Sequence, residues 1–349
     1  MTVSELDMRK MRILQAVIDD YILTAAPVGS RTISKHSDIG LSSATIRNEM
    51  SDLEEMGYLE QPHTSAGRIP SDKAYRLYVN NLMQRSKLTS SEERYIHEHF
   101  SNTLDEVENI VRQTAWVLSS MTKYTSMVLT PQLRKIKVKH VQLIPFSEGK
   151  ALLIIVTDAG ITRDAVIRIP RAMDYEQLER ISRILTQKLA NNRLDQVNDI
   201  LIPELYAQLG EHRDFLEKTL DALRRSIDRS AANVELSGAT NILNYPEYSS
   251  VDKARSFLSA IEEKDLLYQM LSEATKVEFS ITIGSENSQE DMRDCSIVTA
   301  TYKVGDSSLG SLGVIGPTRM NYSRVLALLG YVGKSLGDVL TNMFEEERN

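Results

Sequence analysis

The stretch LSSATIRNEMSDLEEMGYLEQPHTSAGRIPSDKAYRLYV, residues 41–79, changes its pattern several times within 39 residues. Ser42 is a hydroxyl residue of the kind that caps a helix start, and Gly57 suits the position just past a helix end. Between them Ile46, Met50 and Leu53 recur at helical spacing and define a buried face. "YLEQ" then reads as a short strand, "PHTSAG" as a turn and "RIP" as a returning strand. Ser71 caps a further helix that carries Ala74, Leu77, Tyr78, Asn81 and Leu82.

Upstream, Met11, Leu14, Val17, Ile18, Tyr21 and Ile22 stripe a first helix, with Ser4 as its cap and Pro27 forcing an end near Ala25 or Ala26. "PVGS" is a turn, and Ser30 caps a second, short helix through Thr32, Ile33 and Lys35. Three helices followed by a two-stranded ribbon make a winged helix-turn-helix. Short helices joined by glycine turns occur in many folds, and Arg47 with Asn48 alone could be a solvated face. The ribbon decides between these readings.

The third helix has the polarity that a recognition helix needs. Ala44, Arg47, Asn48, Ser51 and Glu55 lie opposite the buried face, and Ser42, Ser43 and Thr45 cluster at its start. Arginine makes bidentate bonds to guanine and asparagine to adenine, while acids near phosphate repel. The acids Asp52, Glu54, Glu55 and Glu60 sit late, away from the helix start. Arg47 and Asn48 are therefore expected to read bases, with Ser42, Ser43 and Thr45 on phosphate. Arg31, Thr32 and Lys35 of the short helix and Ser51 complete the expected DNA-facing set. In the wing, Thr64, Ser65 and backbone N–H groups suit phosphate, Gly67 permits close approach, and Arg68 suits phosphate or the minor groove. His63 is equally well a DNA contact or a surface histidine with no role.

The chain has 349 residues, 42% hydrophobic and 26% charged, which fits two or three globular domains. No apolar run is long enough to cross a bilayer, the first residues are too polar for a signal peptide, and the lone Cys295 fits a reducing cytoplasm. A net charge of −7 argues against indiscriminate coating of nucleic acid but not against a specific reader.

Past the polar linker "QRSKLTSSEER", Phe100, Leu104, Val107, Val111, Leu118 and Met121 mark one long amphipathic helix that either packs on its own domain, the favoured reading, or pairs between subunits. Three strands follow in 136–169, then a helix through Leu178, Ile181, Leu185 and Leu189. "VEFSITIG", "CSIVTATYKV" and "LGSLGVIG" are three more strands, before a last helix with Val325, Leu329, Val332, Leu336, Val339 and Met343. The six strands are expected to form one sheet, split in sequence by residues 193–250. That insertion carries a helix striped by Leu205, Leu209, Leu216, Leu220, Leu223 and Ile227, and "NVELSGATNILNYPEY" as a short strand or turn region.

Enzyme chemistry finds no support. "GYVGKS", 330–335, lacks the leading glycine of a phosphate loop, since Leu328 stands there, and it lies within a helical stripe. His97 and His99 are two apart on a helix and face different ways. Cys295 reads as a small buried hydrophobe. No cofactor and no metal are expected.

The 41–79 stretch resembles the signature of the HrcA family of bacterial heat-inducible transcription repressors. "GSLGVIGPTRMNYSRVLALLGYVGKSLGDVL" resembles the C-terminal block of the same family. Ile69, Ser71 and Ala74 depart mildly from the commonest wing residues, but no charge is lost and the glycine stays. The resemblance spans essentially the whole chain. It implies a multidomain α+β protein: a winged-helix domain at 1–85, and a GAF-like sensor domain at 86–192 and 251–349. A mainly helical dimerisation domain at 193–250 would split the sensor. It also implies a homodimer on an inverted-repeat operator of chaperone genes, released on heating, with a GroEL-type chaperonin promoting the active form.

Overall fold

The computed structural model describes residues 6–35, 39–63, 66–84, 86–101, 107–131, 137–157, 162–170, 173–190, 192, 215, 219, 234–275, 277–304 and 307–346. Helix α1 (Met8–Thr24) is capped by Asp7, whose carboxylate accepts from Lys10 N at 2.7 Å, rather than by Ser4. It stops where expected, because Ala25 turns to a left-handed φ of 55° and returns its N–H to Tyr21 O. Helix α2 (Ser30–Ile33) is a single turn. Gly29 holds its cap position, so Ser30 is inside the helix, and its hydroxyl bonds Ser43 at 3.0 Å instead.

Helix α3 (Ser43–Glu55) has the expected cap, Ser42 Oγ accepting from Thr45 N at 3.1 Å. It closes on Gly57 at φ 77°, with Gly57 N donating to Glu54 O and Tyr58 N to Leu53 O, both at 2.9 Å. This is the paired bonding that satisfies orphan carbonyls at a helix end. Strands β1 (Leu59–Glu60) and β2 (Ile69–Pro70) pair antiparallel, Leu59 opposite Pro70. Ser71 caps α4 (Asp72–Leu77), which continues into a π-helical turn over Tyr78–Leu82. Ile13, Leu14, Val17, Ile18, Ile33, Ile46 and Leu53 are all fully buried and hold the three helices together. At about 1.5–3 kcal/mol for each such side chain, this burial outweighs any single cap.

The expected long helix is two. α5 (Ser90–Ser101) and α6 (Val107–Thr122) lie side by side, since the His99 and Trp116 rings are 5.3 Å apart. A continuous helix would separate residues 17 positions apart by roughly 25 Å. The stripe had the right period on both halves but no means to show a reversal.

The six strands do not share one sheet. β4 (Val138–Ser147), β5 (Lys150–Thr157) and β6 (Thr162–Arg168) form a separate three-stranded antiparallel sheet. Helix α7 (Tyr175–Leu189) covers one of its faces over Val141, Leu143, Leu153, Ile155, Ile181 and Leu185. The main sheet has five strands in the order β7-β3-β10-β9-β8. It adds β3 (Thr125–Leu129) and β7 (Val234–Ser237) to the expected β8 (Phe279–Ile283), β9 (Cys295–Val304) and β10 (Ser307–Pro317). β3 escapes a period-2 reading because all five of its residues are buried. The change of sheet therefore falls between β3 and β4 and again before β7, not at residue 193. The helix striped by Leu205 to Ile227 lies outside the described residues. Helices α8 (Val251–Glu262) and α9 (Lys264–Ala274), which the sequence reading passed over, pack on the β3–β10–β9 side with Phe257, Leu267 and Leu271 in the core.

The last helix, α10 (Tyr322–Glu346), crosses the other face of the main sheet. Val325, Leu329, Val332 and Leu336 are buried as expected. The glycines of "GYVGKS" belong to this packing: Gly333 lies against Leu312, and Gly337 beyond it against the Lys303 carbonyl. No helix among the described residues is long and apolar enough to cross a membrane.

Candidate nucleic-acid interface

The outward side of α3 is small and polar. Ala44, Arg47, Asn48 and Ser51 are all exposed and fall within about 100° of arc. Arg47 makes no ion pair among the described residues. Of the α3 acids, Glu49 and Asp52 are matched by α1 and Glu54 by the wing, while Glu55, exposed one turn beyond Ser51, makes no ion pair among the described residues. Lys10 of α1 lies 2.8 Å from Glu49 and 2.9 Å from Asp52, and Arg9 lies 3.4 Å from Glu49. Glu49 and Asp52 in turn hold the Lys10 ammonium well above its ordinary pKa. The late position of the acids is legible in the sequence, but their pairing with α1 is not. The adjacent pair Arg9-Lys10 was the available signal, though nothing local placed it opposite Glu49.

Arg31, Thr32 and Lys35 are exposed on and just after α2, which joins the start of α3 through Ser30 and Ser43. Ser42 is exposed, but its hydroxyl is already engaged with Thr45 N and, at 2.9 Å, with Thr45 Oγ1. Ser43 and Thr45 are half-buried. A phosphate oxygen only accepts and a hydroxyl has one O–H, so the Ser42–Thr45 bond leaves one of that pair free to donate, and Ser43 can donate where Ser30 donates to it.

The wing differs from expectation at its two most prominent residues. Gly67 is needed for an internal reason: a methyl group there would overlap the Val28 carbonyl. That close approach lets Val28 and Arg68 exchange two backbone bonds, each 2.8 Å, and ties the wing to the α1–α2 turn. Arg68 is not a free cation at the tip. Its Nε and Nη2 reach Glu54 Oε2 at 2.8 and 2.7 Å, and its side chain is only 20% exposed. Glu54 follows Arg47 by seven residues, so the Arg68–Glu54 pair lies on nearly the same stripe, about 10 Å farther along the helix. His63 is exposed near the tip, where Ala66 N donates to its carbonyl at 2.9 Å. Thr64 and Ser65 lie outside the described residues.

No cluster of three metal-ligating side chains occurs among the described residues. Cys295 is fully buried, and burial pushes its thiol up to about 11 despite the Tyr248 hydroxyl at 2.9 Å.

Residues 108–326 match the family model "HrcA protein C terminal domain". A heat-inducible transcription repressor HrcA of Acetivibrio thermocellus is 46% identical over 330 residues, covering 94% of both chains. Its counterpart in Ruminiclostridium cellulolyticum is 45% identical over 97% of this chain and 99% of that one. Among solved structures, that of a hypothetical protein superposes with a TM-score of 0.62 at 25% identity, over 97% of this chain and all of the other. The relatives are repressors rather than enzymes, and an exposed helix face whose first two turns carry Arg47 and Asn48 and no unmatched acid suits that role. The chain belongs to the HrcA family of heat-inducible transcription repressors.

Proposed function

We propose that the chain is a winged-helix repressor that binds, as a homodimer, an inverted-repeat operator ahead of chaperone genes and leaves it on heating. The observation that carries this reading is the α3 surface: Arg47 and Asn48 are exposed while Glu49, Asp52 and Glu54 are each matched by a cation. In this reading Arg47 and Asn48 read base edges. Ser42, Ser43, Thr45, Ser51, Arg31, Thr32 and Lys35 line the backbone on either side. His63, Thr64 and Ser65 follow the wing, and Arg68 changes partner from Glu54 to phosphate. The pair stays partly open to solvent on its Glu54 side and contributes about 1 kcal/mol, so a phosphate can displace the carboxylate.

The DNA unit would be residues 1–85, and the five-stranded sheet with its helices the GAF-like body. The unit holding β4–β6 and α7, with the following segment to about residue 233, would be the dimerising insertion. Its outer sheet face supports this: Ile144, Leu152 and Val166 stand in register, with Ile144 39% and Val166 53% exposed, and Phe146 is 61% exposed. An inverted repeat asks for a two-fold partner, and a second copy of the same face supplies one. Heat release follows if the assembled form is only marginally stable. A GroEL-type chaperonin that rescues this form would make repression depend on chaperonin load.

Footprinting on chaperone promoters at rising temperature tests the reading. Protection of an inverted repeat that fades across the stress range supports it, and undiminished protection above that range removes the thermal element. The rival is a metabolite-responsive regulator. An open groove of about 1010 Å³ between Phe279, Thr301, Lys303, Lys334 and Asn342 speaks for it. A large rise in Tm with one small molecule would favour that rival.

A further inference from the structure

Helix α4 touches both the recognition helix and the body. On one side Ser71 Oγ donates to Gly57 O at 2.7 Å and Lys73 Nζ to Met56 O at 2.8 Å, which grips the C-terminal carbonyls of α3. On the other side Asp72 Oδ2 accepts from Ser285 N at 2.7 Å. Arg76 Nη2 donates to Ile281 O and Nε to Glu286 Oε1, both at 2.7 Å, and Nη2 also pairs with Glu286 Oε2.

The receiving turn is built for this contact. Gly284 has a φ of 50°, and a side chain there would overlap the Asp72 carboxylate. Glu286 Oε2 is held by Ile283 N at 2.8 Å. Asn287, only 4% exposed, fixes the turn to Gly284 O, Met292 O and Cys295 O, each at 2.9 Å. Contacts between domains usually leave room for relative motion. A forked guanidinium–carboxylate pair with an added backbone acceptor removes much of that room.

We propose that Asp72 and Arg76 are positioning residues for operator binding. They fix the angle between α3 and the body, and so, in the dimer, the spacing at which two recognition helices meet two half-sites. The inference rests on the proposed reading of a dimer on an inverted repeat. It adds a specific consequence: the latch sets spacer preference, not base preference. A helix pair set at one angle fits half-sites one helical turn apart, and a loosened pair tolerates others.

The test uses the full-length protein with Arg76→Ala and, as a nearly isosteric second variant, Glu286→Gln. Fluorescence anisotropy measures binding to the intact repeat, to the same half-sites with a lengthened spacer, and to a single half-site. In both variants the advantage of the natural spacer is expected to fall by roughly tenfold, a typical coupling between sites. Half-site affinity should change by less than about twofold, the effect of an ordinary surface substitution. An unchanged spacer advantage overturns the proposal. So does an equal loss on all three DNAs, which would mark the residues as merely structural. Wild-type protein that prefers no DNA over scrambled sequence would sink the repressor reading itself, and this proposal with it.

Discussion

Arg68 of the wing holds its charge against Glu54, which lies on the stripe of α3 that begins with Arg47, at 2.7 Å. The proposed DNA role of Arg68 therefore requires an exchange of partners, and the two sides of the pair should respond oppositely. Arg68→Ala should weaken binding evenly across sequences and lower the salt slope by about one. Glu54→Gln frees the guanidinium and should tighten binding at low salt. Equal weakening by both would make the pair a wing lock with no phosphate contact. Cys295 gives a cleaner case. Burial raises its thiol to about 11, so the folded protein should resist thiol reagents near neutral pH and react only once unfolded. Rapid labelling of native protein would contradict its place beneath Tyr248.

The stripes of α1, α3, α7 and α10 were legible in the sequence, and so were three caps, while Asp7 and Gly29 hold the places read for Ser4 and Ser30. Ser42, Gly57 and Ser71 act as read because their geometry is local. β3 was not legible, since burial on both faces erases alternation. Nor was the break between the two sheets, because strand order depends on pairings far apart in the chain, such as Val128 with Leu312 and with Glu235. The exposed face of α3 was read correctly as a face, but the matching of its acids by α1 and by the wing was not. Helix α10 shows how packing overrides propensity. Gly337→Ala would stabilise a free helix by about 1 kcal/mol. Here the added methyl meets the Lys303 carbonyl, so Tm should fall instead. A rise would mean that α10 can lift from β9 at little cost.

Across the whole molecule, two separate sheets answer two requirements. The five-stranded body receives α4 through Glu286 and thereby holds α3, while the three-stranded unit exposes Ile144, Phe146 and Val166 on its outer side. If the proposed dimer forms through this face, replacing Phe146 and Val166 together with glutamate should shift the protein toward monomer in sedimentation velocity. An intact dimer would place the two-fold contact elsewhere. The reading of α3 itself stands or falls on Asn48, which is exposed and caps nothing, so its loss should leave the fold untouched. Titration of wild type and Asn48→Ala against the inverted repeat and a scrambled duplex at one salt concentration settles it. The variant should lose about 1–3 kcal/mol on the repeat and almost nothing on the scrambled DNA. Equal losses on both duplexes, or none on either, would contradict base reading by this helix.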